Sequence, residues 1–152
     1  MASELLIERR GPALVLTISD PATRNTLSPQ VYTAGTEALQ EAAADSALTG
    51  VVLRGDGAHF CAGGDLQRLA ASRNGPPDQV RVNIDRFHAF VLAMRSCAKP
   101  VIAAVEGHAA GGGCSLVQPA ATNSAAIPRE PRFHFDIISF ASVRGLDRFP
   151  IT

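Results

Sequence analysis

The stretch GVVLRGDGAHFCAGGDL, residues 50–66, decides how this chain is expected to fold. Its first six residues form a short apolar run bounded by glycines, which predicts a buried strand. The pair Gly63-Gly64 follows and predicts a tight turn. Asp65 comes next, and aspartate is a residue type that caps the start of helices. This one segment therefore predicts a strand, a glycine turn and a helix start in that order.

A second segment, KPVIAAVEGHAAGGGCSL at residues 99–116, repeats this order. The residue before a proline avoids the helical region, so Lys99-Pro100 ends a preceding helix, and Val101 to Val105 reads as another buried strand. The triplet Gly111-Gly112-Gly113 then precedes a helix start. Strand, glycine turn and helix thus occur twice in the chain.

Glycine turns that lead into helices can bind a carbonyl oxygen or an anion. The first N–H groups of a helix lack partners, the helix dipole adds partial positive charge, and glycine lets a ligand approach the backbone. Two such turns facing each other would form an oxyanion hole, in which loss of one donor typically costs about 2.7–4 kcal/mol of transition-state stabilisation. Taken singly, however, each turn is better explained as a simple reversal of the chain, because most glycine-rich turns bind nothing.

The residues upstream predict a hairpin and a helix. Leu5 to Glu8 and Ala13 to Ser19 carry β-branched and aliphatic residues in near-alternation around Gly11-Pro12, which indicates two paired strands. Ser28 followed by Pro29 supplies a cap and a proline for the first position of a helix that ends near residue 44.

A second long helix is predicted to begin at Asp78, which we expect to cap it. Its apolar residues recur at helical spacing and are expected to share one face: Val80, Ile84, Phe87, Val91 and Met94. The chain order is therefore a mixture of strands and helices, which is typical of the α/β class.

The composition and the absence of certain motifs argue against several classes of binding partner. The chain has 152 residues, enough for one domain, with 14 basic and 14 acidic residues and no basic run, so neither nucleic acid nor a membrane is expected as a partner. The start of the chain lacks the features of a signal peptide, which predicts a cytoplasmic protein. Neither GxxxxGK[ST] nor GxGxxG is present, which argues against nucleotide binding of those kinds.

The three cysteines are Cys61, Cys97 and Cys114, without the spacing of a zinc site, so we expect reduced thiols and no metal. Cys61 and Cys114 flank the two glycine turns. Either could in principle act as a nucleophile, but small buried thiols are the better explanation because no activating histidine partner can be argued from the sequence.

Three blocks together resemble the signature blocks of the crotonase superfamily, the enoyl-CoA hydratase/isomerase family: PATRNTLS, GVVLRGDGAHFCAGGDL and KPVIAAVEGHAAGGGCSL. The resemblance covers residues 5–116. It implies a spiral of β-β-α units, apparently incomplete here, and acyl-CoA thioester substrates. It also implies no metal or redox cofactor, since the CoA thioester is the substrate, and assembly as homo-trimers or hexamers.

The resemblance also assigns the site. It places the two oxyanion-hole N–H groups on Gly64 and Gly112. It makes the neighbouring residues part of the substrate-binding surface: Ala62, Gly63, Asp65 and Gly111. Asp65 is expected to cap the following helix. Arg24 lies in the block that runs beside the CoA nucleotide in this family, so it is a candidate for a phosphate contact and equally a solvated arginine.

The chain departs from the family pattern at Ser115, where hydratases carry one of two catalytic glutamates. A neutral hydroxyl is a poor general base near pH 7, so isomerase-type chemistry is favoured over two-glutamate hydration. Glu106 and His108 could suggest proton transfer, but turn-forming and capping roles fit them better, and the role of His59 stays open.

The family character is lost after residue 117. Gln118-Pro119 follows the glycine triplet almost at once, and a proline inside the expected helix costs about 3 kcal/mol. We therefore divide the chain into a crotonase-like core at residues 1–117 and an atypical tail at 118–152, from a shifted reading frame or a truncation. In the tail, FHFDIISFASV resembles a strand, and the carboxylates Glu130 and Asp136 match no motif. The alternative to an enzyme is a catalytically inactive, truncated family member.

Overall fold

The computed structural model describes residues 3–73 and 75–123, with side chains described as far as residue 118. A 3₁₀ turn at Pro21–Thr23 joins the opening strands to the rest. The strands and helices follow in chain order: β1 (Glu4–Arg10), β2 (Ala13–Ser19), β3 (Thr26–Leu27), α1 (Pro29–Ala44), β4 (Gly50–Gly55), β5 (Gly63–Gly64), α2 (Leu66–Ser72), α3 (Pro77–Ser96), β6 (Val101–Ala104) and α4 (Gly112–Asn123).

The main sheet has the strand order β1-β2-β4-β6. β1 and β2 form the predicted antiparallel hairpin, and β2, β4 and β6 run parallel to one another. A separate two-stranded parallel sheet pairs β3 with β5, with Leu27 opposite Gly64. The α/β class, the hairpin and both predicted strands are therefore confirmed, but the expected burial of β6 is wrong beyond Val101, since Ile102 is 52% exposed.

Helix α1 begins as the sequence predicts. The Ser28 hydroxyl accepts the N–H of Val31 at 3.3 Å and donates to the carbonyl of Ser3 at 2.7 Å, while Pro29 occupies the first helical position. The helix ends at Ala44, and its buried residues lie at helical spacing: Val31, Tyr32, Gly35, Ala38, Leu39 and Ala42.

Helix α3 corrects two expectations. It starts at Pro77 without a side-chain cap, and Asp78 lies in its first turn. Prolines favour the first helical position, so the helix begins at Pro77, two residues too early for Asp78 to cap it. Phe90 is fully buried, whereas Ile84 is 48% exposed. Helical spacing limits which residues share a face, but the neighbouring helix decides which face is buried.

The apolar core lies between the main sheet and helices α1, α3 and α4. Its largest fully buried side chains come from all of these elements and the intervening loops: Leu16, Ile18, Leu27, Val31, Leu39, Val51, Leu53, Phe60, Phe90, Met94, Val101 and Leu116. Across the described ranges, none of the helices combines the length and hydropathy needed to span a membrane.

Helix α4 continues through Pro119 to Asn123, although the sequence predicts an interruption there. The fixed φ of proline is helical, so a helix can include it at the cost of one backbone hydrogen bond. The rest of the predicted tail lies outside the described residues, including FHFDIISFASV, Glu130 and Asp136.

Candidate functional site

The two glycine segments lie side by side. The N–H groups of Phe60 and Cys61 both donate to the carbonyl of His108, at 3.1 and 3.0 Å. The N–H of Ala110 donates back to the carbonyl of Cys61 at 3.0 Å, and Cys61 forms a parallel β-bridge with Ala109. The structure thus brings together two turns that are far apart in sequence.

Glycine is required where these turns touch. Gly63 has φ +89°, and a Cβ atom there would lie 2.6 Å from the carbonyl oxygen of Ala110 and 3.1 Å from the nitrogen of Gly112. A Cβ at Gly113 would lie 2.4 Å from the carbonyl oxygen of Cys61. Side chains at Gly63 and Gly113 would therefore force the turns apart.

Each turn leads directly into a helix. One carboxylate oxygen of Asp65 accepts the N–H groups of Gln67 at 2.9 Å and Arg68 at 3.3 Å, which confirms its capping role. Gly112 is the first residue of α4. A first-position N–H has no partner within its helix. Among the described residues, no backbone hydrogen bond uses the N–H of Gly112.

Apolar side chains surround the two glycine positions predicted as donors. Leu69 Cδ1 lies 3.1 Å from the Cβ position of Gly64. Leu27 Cδ1 and Phe87 Cζ lie 3.0 and 3.5 Å from that of Gly112. The Phe87 ring also packs against Tyr32, with centroids 5.3 Å apart. The surroundings of the turns are thus mainly aliphatic and aromatic.

The other predicted site residues contact their neighbours chiefly through backbone hydrogen bonds. Arg24 is exposed and adopts φ 59°, and its carbonyl accepts the N–H of Ala62 at 3.0 Å. Gly111 adopts φ 51°, and its carbonyl accepts the N–H of Ser115 at 3.3 Å. Ser115 is exposed in the first turn of α4. The phosphate contact of Arg24 stays a prediction.

The thiols of Cys61 and Cys114 lie in different surroundings. Burial raises the pKa of the Cys61 thiol to about 11, so it stays protonated near neutral pH. Cys114 is exposed and its thiol donates to the carbonyl of Ala109 at 3.0 Å. The expectation of a buried thiol is therefore confirmed for Cys61 and is wrong for Cys114.

His59 and His108 connect the two turns. Their rings stack with centroids 4.5 Å apart and an interplanar angle of 27°, and Nδ1 of His59 accepts the N–H of His108 at 3.4 Å. This contact, added to the two bonds that the His108 carbonyl accepts, fits a structural role for the pair.

Asn25 is central to the site, although the sequence marks it only as a neighbour of Arg24. It is fully buried and adopts φ 59°. Its side-chain oxygen accepts the N–H of Asp20 at 3.0 Å, and its amide nitrogen donates to the carbonyls of Asp56 at 2.9 Å and His59 at 2.7 Å. The tolerance of asparagine for positive φ was the one available signal.

Arg68 and Tyr32 were also missed. The Arg68 guanidinium donates from Nη2 to the carbonyl of Leu27 at 2.6 Å. Burial raises the pKa of the Tyr32 phenol, and the nearby Arg68 charge opposes that rise. No sequence signal marks this pair, because the two residues lie in different helices, α1 and α2, and become neighbours only in the folded chain.

No group of three or more His, Cys, Asp or Glu residues that could hold a metal ion occurs within the described ranges. Three carboxylates lie close in sequence to the two turns, and none of them is placed as part of a metal site. The carboxylate of Asp65 caps α2, and Asp56 accepts the hydroxyl of Ser19 at 2.7 Å. Glu106 is exposed.

Comparison with known proteins gives consistent matches. A family model described as enoyl-CoA hydratase/isomerase matches residues 8–140. Enoyl-CoA hydratase EchA19 of Mycobacterium tuberculosis is 37% identical over 118 residues, which cover 76% of this chain and 43% of that protein. The 1,2-epoxyphenylacetyl-CoA isomerase of Escherichia coli is 32% identical over 104 residues, covering 68% of this chain and 40% of that protein.

A solved structure, an enoyl-CoA hydratase from Polaromonas sp. JS666, matches with a TM-score of 0.74 and 45% identity. The match covers 76% of this chain and 45% of that one. The chain therefore covers less than half the length of each of these three proteins.

Proposed function

The chain belongs to the enoyl-CoA hydratase/isomerase family, and from that membership we propose that it binds an acyl-CoA thioester with the carbonyl oxygen between the N–H groups of Gly64 and Gly112. One observation carries the proposal: the two glycine turns are in direct contact, with the Cβ position of Gly63 only 3.1 Å from the nitrogen of Gly112. Negative charge that develops on the thioester oxygen, as in an enolate, is what this pair of donors stabilises.

Two physical features support Gly112 as a donor. It begins a helix of 12 residues, whose dipole places partial positive charge at that end. Leu27 and Phe87 border its Cβ position and provide apolar surroundings, in which a hydrogen bond to a charged oxygen is electrostatically stronger than in water.

We favour isomerase-type chemistry over two-glutamate hydration. Ser115 stands where the resemblance places a glutamate, and a hydroxyl is a weak general base. The nearest carboxylate in sequence to the first turn, Asp65, accepts two backbone N–H groups and is committed to capping. Moving a double bond needs no added water, but it needs a base that removes one proton and returns it to another carbon, and isomerase-type relatives place the carboxylate for this transfer elsewhere than residue 115. An enolate stabilised by the two donors lowers the barrier to that transfer.

The remaining parts of the proposal follow the family resemblance. Ala62, Gly63 and Gly111 shape the backbone against the thioester, and exposed Arg24 contacts a CoA phosphate. We propose that the protein works in the cytoplasm as a homo-trimer or hexamer, and that the CoA thioester is a substrate with no metal or redox cofactor.

The test is turnover of a panel of short enoyl-CoA esters by the full chain, with Gly112→Pro and Gly112→Ala as a matched pair. Proline at the first helical position is structurally tolerated and removes the N–H, whereas alanine keeps it. We expect G112P to lower kcat/KM about 100-fold or more, as for loss of an oxyanion donor, with a much smaller loss in G112A.

Mass spectrometry of the products separates the two chemistries. An unchanged mass with a shifted double bond supports isomerisation, and a gain of one water molecule supports hydration. Equal activity of G112P and wild type would contradict the assignment of Gly112. A soluble, folded wild-type chain with no turnover on the whole panel would favour the alternative, a catalytically inactive, truncated family member.

A further inference from the structure

Arg68 is a partly buried cation beside the proposed hole, and capping and packing do not account for its charge. Its backbone N–H is used in the cap of α2, but its guanidinium extends to β3. The described residues contain two ion pairs, Arg9 with Asp45 and Arg10 with Glu8, and Arg68 is in neither. A guanidinium carries five N–H donors, and the carbonyl of Leu27 uses one of its nitrogens.

Leu27 places this charge next to the site. Its carbonyl accepts the Arg68 guanidinium at 2.6 Å, its backbone pairs with Gly64, and its side chain lies 3.0 Å from the Cβ position of Gly112. One residue therefore touches the cation and both proposed donor positions.

Tyr32 adds a second polar group to the same wall. It is 8% exposed and packs against Phe87. The positive charge of the Arg68 guanidinium lies close enough to the Tyr32 hydroxyl to act against the rise in its pKa that burial causes. A buried phenol beside a cation supplies one more hydrogen-bonding group in surroundings that are otherwise apolar. Desolvating a cation without an anionic partner is costly, so the arrangement favours an anion supplied by a ligand.

We propose that Arg68, with Tyr32 beside it, binds an anionic group on the acyl portion of the substrate, so that the chain prefers acyl-CoA esters ending in a carboxylate. This inference rests on the proposed function and goes further by naming the substrate class. The planar guanidinium fork matches a carboxylate in two parallel hydrogen bonds. CoA itself carries phosphates, which are the other source of such an anion.

The experiment compares adipoyl-CoA with hexanoyl-CoA by calorimetric titration of the full chain. The two acyl groups have the same number of carbons and differ in whether the far end is a carboxylate or a methyl group. We expect adipoyl-CoA to bind about tenfold more tightly or better, which is the range of one charge-assisted pair. The same ratio is expected for S-adipoyl and S-hexanoyl pantetheine, which lack the nucleotide phosphates.

Variants at Arg68 and at Arg73, which follows the end of α2, test whether Arg68 causes the preference for adipoyl-CoA. Arg68→Met brings the adipoyl-to-hexanoyl affinity ratio to about one, because the anion loses its partner, while Arg68→Lys retains part of the ratio through its charge. Arg73→Met removes an exposed charge at the end of α2 and leaves the ratio unchanged. Thermal unfolding of each variant checks that the fold is retained, and R68K preserves the test if R68M does not fold.

Each contrary outcome has a separate meaning. Equal affinity of the wild-type chain for both esters overturns this inference and leaves the proposed function standing. If R68M binds both esters more weakly by the same factor, Arg68 contacts the CoA moiety that the esters share. That result overturns the proposal that Arg68 binds the acyl carboxylate. Binding of neither ester overturns the proposed function together with this inference.

Discussion

Asn25 links the loop before α1 to the first glycine turn. Its side chain forms hydrogen bonds with the backbone of Asp20, Asp56 and His59, and so joins three segments of the chain. The left-handed backbone at this position suits asparagine better than most residues. Without these bonds, one partly buried N–H and two partly buried carbonyls would need new partners.

Asn25→Ala is expected to lower the free energy of unfolding by about 3 kcal/mol, because unsatisfied buried polar groups typically cost about 1–3 kcal/mol and alanine adds left-handed strain. Asn25→Gly loses the same bonds without the strain, so it should be about 1 kcal/mol less destabilising than alanine. Urea denaturation measures both. A loss below about 0.5 kcal/mol in N25A, typical of a neutral surface change, would contradict the linking role of Asn25.

At the level of elements, the contact of α1 with α3 depends on one glycine. A Cβ atom at Gly35 would lie 2.4 Å from Cε2 of Phe90, so the ring occupies the space that a side chain would take. Phe90 is thereby fully buried, and this contact fixes which face of α3 packs against α1.

Gly35→Ala tests this contact. At an exposed position inside a helix, replacing glycine with alanine would stabilise the protein by about 1 kcal/mol. Overpacking here costs about 1–3 kcal/mol or more, so we expect G35A to be destabilised. Phe90→Leu shortens the opposing side chain, and G35A/F90L should be less destabilised than the sum of the single variants by at least about 0.5 kcal/mol. Strict additivity in chemical denaturation would show that the two residues do not compete for space.

At the level of the whole molecule, an apolar surface remains uncovered. β6 is an edge strand of the described sheet, and Ile102 on it is 52% exposed. Leu92 of α3 is 60% exposed. Edge strands and large apolar patches favour association with other chains.

We therefore expect concentration-dependent self-association, which sedimentation velocity measures. Ile102→Lys should raise the monomer fraction, because a charge on an edge strand opposes pairing. Gln67→Lys adds the same charge at an exposed position of α2, which is not part of the sheet, and should leave the distribution unchanged. If I102K and Q67K behave alike, the association does not involve the β6 edge.

The sequence by itself determined the elements and the local character of the site. The hairpin, the Ser28 cap, the strands before both glycine turns and the Asp65 cap depend on residues a few positions apart, and propensity and spacing describe such interactions well. The family signature blocks are likewise contiguous in the chain. The cap predicted at Asp78 was wrong because the helix begins at Pro77, so that its N-cap position falls on Pro76, two residues earlier.

Only the tertiary structure decided which distant residues meet. The bond between Arg68 and Leu27 joins residues 41 positions apart, and those of Asn25 to Asp56 and His59 span 31 and 34 positions. The burial of Phe90 rather than Ile84 likewise depends on the space left at Gly35. Spacing along the chain predicts which residues share a helix face or a turn. Contacts between distant segments depend on how these elements pack, since burial and shape complementarity act between elements and leave no local pattern in the sequence.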